Sequence, residues 1–337
     1  MKTLALFCFA LLTALTVTAC SGKSEDVTPV QESFDVALDW YANPDHAGFF
    51  VAQDKGYFED AGLDVSLDAP TDPSLPIKLV AAGRTDLAIS YEPEVLLARQ
   101  QGLDVVAVST VVGRPLTSMI WLEKSNIKNV KGLKGKTIST AGIPYQDAYL
   151  RTILERAGLS ESDVTKVGVG QGLLPSILSG KAQATLGPFW NIEGVNLKLS
   201  GRRPVINPVD RLGVPTYSEM VLVAKGSTVE EDPESIRLFL KALERGTADA
   251  VAQPNFARES ILAANEALDP KTTNAQLEVT LPLLAQKNGR RPFGYMDTAR
   301  WQTFINWAVQ NEVLNAPQRA VDALTNSLLP TGNVETD

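Results

Sequence analysis

The sequence predicts an α/β protein of two lobes, each a doubly wound sheet flanked by helices. Three observations carry this. Short apolar or alternating runs of strand length recur between helical segments from Phe34 to Ala224. The alternation breaks at a basic, turn-rich stretch, Lys124 to Lys136, and restarts at Thr137. Beyond Ala224 the chain is mostly helical and has no strands of its own to cover, so those helices return to the first sheet. The expected division is residues 33–120 with 219–330 as one lobe and 121–218 as the other. The chain then crosses twice between lobes, and a ligand cleft opens between them.

The elements follow in order. Phe34 to Leu38 alternates as a strand. Asn43-Pro44 starts a helix, because Asn accepts from the first free amides and Pro has a helical φ built in. Ala47, Phe50, Val51 and Ala52 form its apolar face and Gly56 stops it. Leu63 to Leu67 completes a βαβ unit. A helix from Leu75 to Ala82, a strand from Leu87 to Ser90 and a helix from Tyr91 to about Gln101 come next. Val105 to Val112 is nearly all β-branched, as a parallel strand buried on both faces should be. Thr117 to Leu122 is a further strand. The Lys124–Lys136 stretch reads as a solvated bend.

The second series is a strand at Thr137–Thr140, a helix at Gln146–Ala157, a strand at Val164–Val169, a helix at Leu173–Ser179 and a strand at Ala184–Leu186. Gly168, Gly170 and Gly172 do not match G-x-G-x-x-G and read as a strand-to-helix turn. Pro204 to Pro215 reads as irregular. Glu219 to Ala224 is the last strand. Helices follow at Asp232–Gln253, Asn255–Leu268, Asn274–Ala285 and Asp297–Glu312. In the last, Trp301, Phe304, Ile305, Trp307 and Ala308 make an apolar stripe that belongs to a core.

The N-terminus reads as a targeting segment. Lys2 precedes an apolar run, Leu4 to Val17, of signal-peptide length. Val17-Thr18-Ala19-Cys20 looks like a bacterial lipoprotein cleavage site. The expectation is a signal peptide at 1–19, lipid on Cys20 and a flexible tether at 20–32, holding the protein at the bacterial cell envelope on its periplasmic or extracellular face. The net charge of -8 argues against nucleic acid. Both cysteines, Cys8 and Cys20, lie in or beside the leader, so the rest of the chain has no thiol chemistry. The single histidine, His46, comes with no H-E-x-x-H, G-x-S-x-G or P-loop motif. No catalytic residue, metal or cofactor is expected, and a monomer is.

Polar and aromatic residues cluster where strands end and helices begin, which is where open α/β sheets bind ligands. These are Asp39, Trp40, Asn43 and His46 after the first strand, and Ser90, Tyr91 and Glu92 after the third. Arg114 follows the β-branched run. Pro144 and Tyr145 lie in the fourth group, and Trp190, Asn191 and Glu193 follow Phe189 in the fifth. An aromatic ring stacks on a planar ligand for about 1–3 kcal/mol. A carboxylate accepts from an amino group, and an amide donates to a ring nitrogen. Each aromatic alone fits core packing as readily. The carboxylates Glu92 and Glu94 at a helix start are as readily dipole-stabilising as acid/base groups. The grouping by topology makes the set a site.

At these residues the sequence resembles a known family. Asp39-Trp40 with Asn43-Pro44-Asp45-His46-Ala47-Gly48, then Lys55-Gly56-Tyr57-Phe58 and Gly62-Leu63-Asp64-Val65, resemble the thiamine-pyrimidine precursor-binding group of the nitrate/sulfonate/taurine-type ABC transporter binding proteins. Ile89 to Arg99, Arg114 to Ser118, Trp190-Asn191 and Glu193-Gly194 resemble it too. The resemblance implies a type II periplasmic-binding-protein fold. It implies an ABC permease and ATPase as partners, and an aminopyrimidine ligand such as hydroxymethylpyrimidine or its formylamino relative. Trp40 and Tyr91 or Trp190 would sandwich the ring and Glu193 would take its exocyclic amine. Asn43, His46 and Ser90 would line the cleft. Relatives bind riboflavin or other flat heterocycles. The family also includes a thiamine-pyrimidine synthase that uses its own histidine, a bound pyridoxal phosphate, iron and a cysteine cluster. His46 matches that histidine, but the cluster is missing here and a leader precedes the domain, so the expectation is a binding protein and not an enzyme.

Overall fold

The computed structural model describes residues 31–284 and 291–330. The expected signal peptide, Cys20 and all but the last two residues of the expected tether lie outside the described residues. Among those described, no helix is long and apolar enough to cross a membrane.

Among the described residues, ten strands form two five-stranded sheets. The first sheet contains β1 (Glu32–Ala37), β2 (Leu63–Asp68), β3 (Leu87–Ser90), β4 (Val105–Val112) and β10 (Met220–Lys225), in the order β2-β1-β3-β10-β4. The second contains β5 (Thr117–Leu122), β6 (Thr137–Thr140), β7 (Thr165–Gly168), β8 (Ala184–Phe189) and β9 (Pro204–Pro208), in the order β7-β6-β8-β5-β9. The two sheets share one plan. Three strands run parallel, then comes one reversed strand, then a fifth. In each sheet the reversed strand is the first one made after the chain crosses over, β5 going out and β10 coming back.

That topology changes two sequence expectations. The β-branched run of β4 is not a parallel central strand. It lies at the sheet edge and pairs antiparallel with β10. Its side chains are buried because helices cover both faces. The C-terminal segment covers the edge, with Thr325 N–H donating to Ala107 C=O at 2.9 Å. An apolar run reports burial of faces and says nothing of the neighbour's direction. The stretch expected to be irregular contains β9, bounded by Pro204 and Pro208. Proline lacks an N–H to donate, which an edge strand tolerates and a central strand does not. Strand β5 lies wholly in the second sheet, and a boundary at 120 runs through it. The chain passes from sheet to sheet at Gly113–Leu116 and returns through Tyr217–Glu219.

Proline opens the helices at Pro76, Pro144, Pro233, Pro254 and Pro270. The helix at Ala47–Asp54 is buried along most of its length and crosses the 20-residue Pro233–Ala252 helix with Gly48 against Gly246 and Thr247. A short helix at Glu193–Leu199, not anticipated from the sequence, follows β8. Trp301, Phe304, Ile305 and Ala308 are fully buried. Phe304 continues an aromatic chain through Tyr217, Tyr149 and Tyr145, with ring centroids 5.1–5.6 Å apart, which ties helices of both sheets together.

Candidate functional site

The site is built first from the turn after β1. Asn43 is the N-cap of a single 3-10 turn, Pro44–His46, and its Oδ1 accepts from Asp45 N–H at 2.9 Å. The same turn returns His46 Nδ1 to accept from Asn43 N–H at 3.3 Å. That bond assigns the ring proton to Nε2, which donates to Asp39 Oδ1 at 2.8 Å. The other Asp39 oxygen accepts from Tyr91 Oη–H at 2.6 Å. Both Asp39 oxygens are therefore engaged. Burial pushes its carboxyl up, but the His46 and Tyr91 bonds outweigh burial and hold it below the usual range.

Tyr91 carries the cluster across to the second sheet. Its ring meets Phe189 edge-on, with centroids 6.4 Å apart. Phe189 ends β8, and its N–H donates to Glu193 Oε2 at 2.8 Å. Burial raises the Glu193 carboxyl, opposed by that backbone bond. Asp39, Tyr91 and Glu193 are thus joined through Phe189, with Trp40 half-buried beside the first-sheet turn. Trp190 Nε1–H donates to Pro115 C=O at 3.2 Å, on the outgoing crossover.

Other expected site residues are placed differently. His46 is fully buried, so it supports Asp39 and does not line a surface. Asn191 is fully buried too. Its Nδ2 donates to Asp45 Oδ1 at 2.6 Å and to Thr280 Oγ1 at 2.9 Å, tying the β8 end to the β1 turn. Ser90 donates to Glu94 Oε2 at 2.8 Å. Glu92 points to the returning crossover, where Oε2 accepts from Ser218 N–H at 2.7 Å. Arg114 meets Asp210 at 3.5 Å and faces a separate cavity. Tyr145 is buried in the aromatic chain, while Pro144 is exposed at a helix start.

Sequence reasoning did not select Asp45, Glu94 or Glu219 for the site. By position Asp45 and Glu94 are helix-start acids and Glu219 is the first residue of the expected last strand. Burial pushes Asp45, Glu94 and Glu219 up to about 7 and Glu92 to about 8. A carboxyl raised on folding contributes stability that is complete below its unfolded pKa and is lost as pH rises through its folded pKa. Unfolding free energy is accordingly expected to fall between about pH 5 and pH 8. Urea midpoints across that range check it, and Glu92→Gln should flatten the upper part. A midpoint that rises with pH contradicts it.

Comparison with known proteins adds to this geometry. The NMT1/THI5 like family description matches residues 43–257. A formylaminopyrimidine-binding protein of Halalkalibacterium halodurans is 36% identical over 94% of this chain and 96% of its own. A 4-amino-5-hydroxymethyl-2-methylpyrimidine phosphate synthase of Saccharomyces cerevisiae is 26% identical over 80% of this chain and 78% of its own. The periplasmic aliphatic sulphonate binding protein SsuA of Escherichia coli superposes with TM-score 0.70 at 16% identity, over 88% of this chain and 98% of that one. The last likeness shows the fold, the two-lobe periplasmic-binding-protein architecture that the strand order describes. With the family matched over residues 43–257 and a relative 36% identical over 94% of the chain, this chain belongs to the NMT1/THI5-like family.

Proposed function

We propose that this protein is the ligand-capturing component of an ABC importer for an aminopyrimidine precursor of thiamine, of the hydroxymethyl- or formylaminopyrimidine kind. One observation carries the reading. Opposite sheets deliver a carboxylate and an aromatic ring each to one place, Asp39 with Tyr91 and Glu193 with Phe189. Asp39, with both oxygens engaged, aims Tyr91. Glu193 is held by backbone N–H groups, and no side chain among the described residues bonds its carboxylate, which suits an exocyclic amine. Trp40 and Trp190 supply flat faces beside them. The lobes, each one sheet with its helices, close by bending at the two crossovers, 113–116 and 217–219. Lipid on Cys20 would hold this monomer at the envelope beside its permease and ATPase. The relative named for formylaminopyrimidine supports the ligand class.

Riboflavin or another flat heterocycle is the neighbouring reading. A synthase reading draws on the yeast relative. His46 favours binding over synthesis, since both ring nitrogens are committed to Asn43 and Asp39.

Thermal shift and calorimetry with formylaminopyrimidine, hydroxymethylpyrimidine, thiamine and riboflavin test the reading. A true ligand at a hundred times its Kd should stabilise the fold by about 2.7 kcal/mol. Silence from every pyrimidine sinks it, and pyrimidine formed from pyridoxal phosphate and iron would favour the synthase. Glu193→Gln keeps the Phe189 bond but loses the charge. It should weaken ligand by about tenfold or more, about 1.4 kcal/mol, with little change in urea midpoint.

A further inference from the structure

We propose a second, anion-binding site beside the crossovers, in a cavity of about 340 Å³ lined by Arg114, Arg291 and Arg300, that takes a small molecule bearing a phosphate or carboxylate group. None of its lining residues belongs to the Asp39–Glu193 cluster, and the proposal does not depend on the pyrimidine reading. Arg114 and Pro115 serve different places. The arginine side chain lines the cavity, while the proline carbonyl accepts from Trp190.

Charge points to an anion. Asp297 is the one acid among the described lining residues, and it is already engaged. Its Oδ1 caps the Thr298–Gln310 helix by accepting from Ala299 N–H and Arg300 N–H, each at 3.1 Å. Its Oδ2 accepts from Arg291 Nη1–H at 3.0 Å. Arg114 is offset by Asp210 at 3.5 Å, and Arg300 Nη2 donates to Ser218 Oγ at 3.3 Å. The Nε–H groups of Arg114 and Arg300 are shielded from solvent and meet no acceptor among the described residues. A shielded donor without an acceptor costs about 1–3 kcal/mol. An oxyanion supplies several acceptors in the planar geometry that guanidinium forks match.

The walls suggest what the anion carries. Arg291 lies over the Tyr295 ring at 4.6 Å, which offers a flat surface, and Pro282, Leu283 and Pro292 are apolar. The volume sits at the small end of ligand cavities, roughly 300–1,000 Å³. It exceeds what a bare ion needs and suits an oxyanion on a compact organic body.

The test uses inorganic phosphate and acetate as probes, in thermal shift and calorimetry, with ionic strength held constant by potassium chloride. Saturable one-to-one stabilisation by either probe supports the site and says which group it prefers. Affinity should fall by about tenfold or more in Arg291→Gln and Arg300→Lys. Arg300→Lys could loosen the fold through Ser218, but Arg291 is surface-exposed, so Arg291→Gln keeps the test decisive. Stabilisation no greater than chloride gives, or unchanged affinity in Arg291→Gln, overturns the proposal. Pyrimidine affinity should be unaltered in Arg291→Gln, and its loss would overturn the separateness of the two sites.

Discussion

Glu219→Ala is expected to lower the unfolding free energy by about 3–5 kcal/mol, the largest effect of any single polar substitution considered. Glu219 is buried at the start of β10, where the chain has just returned to the first sheet. Its Oε2 accepts from Leu116 N–H at 2.7 Å, Thr117 N–H at 2.8 Å and Tyr217 Oη–H at 3.0 Å. Its Oε1 accepts from Thr117 Oγ1–H at 2.9 Å. One side chain thus joins the outgoing crossover to the returning one. Alanine removes the acceptor and strands four donors in a dry place, each costing about 1–3 kcal/mol before water relieves part of it. Glutamine separates acceptance from charge. Its oxygen can take the three bonds of Oε2, and its amide can donate to Thr117 Oγ1. Glu219→Gln should therefore cost about 1 kcal/mol and remove this residue's share of the pH dependence. Urea unfolding of both variants decides it. An alanine variant within 1 kcal/mol of the parent would show that the crossovers are held elsewhere.

Gly246→Ala should destabilise by about 3 kcal/mol, although helix propensity favours alanine by about 1 kcal/mol. Gly246 lies where the Pro233–Ala252 helix crosses the Ala47–Asp54 helix. A Cβ there would stand 2.5 Å from Ala52 Cβ and 2.7 Å from Ala52 N, and would also strike the Gly48 carbonyl oxygen. Two of those three atoms are backbone, so no side-chain rotation relieves the clash and the helices must separate. The shorter helix carries the β1 turn at its N-terminus, so the Asn43–His46–Asp39 arrangement moves with it. Ligand affinity should fall along with the urea midpoint. A variant as stable as the parent, with unchanged affinity, would mean that this crossing is looser than its geometry.

Several features were legible from local chemistry. Asn43-Pro44 marks a turn start because an amide cap and a fixed φ act within a few residues. β3, β4, β5 and β6 are legible because β-branched and alternating runs express burial directly. β9 was hidden because its two prolines are acceptable only at an edge, and edge position is a property of the assembled sheet. Helical spacing puts Trp301 and Phe304 in the core, and both are fully buried.

The site divides along the same line. Residue type and position at strand ends point to Asp39, Tyr91 and Glu193, which are linked between the two sheets through Phe189. Spacing could not tell that Glu92, one residue beyond Tyr91, turns to Ser218, or that Asp45 is buried under Asn191. The direction of a side chain in a first helical turn depends on how the helix docks, and docking is settled by distant partners such as Ser218 and Thr280. Sequence by itself determined the α/β class, most of the element order and the family, because propensity, periodicity and motif are local. Tertiary structure alone decided which acids lose their water, which nitrogens of His46 are engaged and which residues face which cavity. Desolvation and pairing are set by neighbours far along the chain, and those neighbours become known once the chain has crossed between the sheets and back.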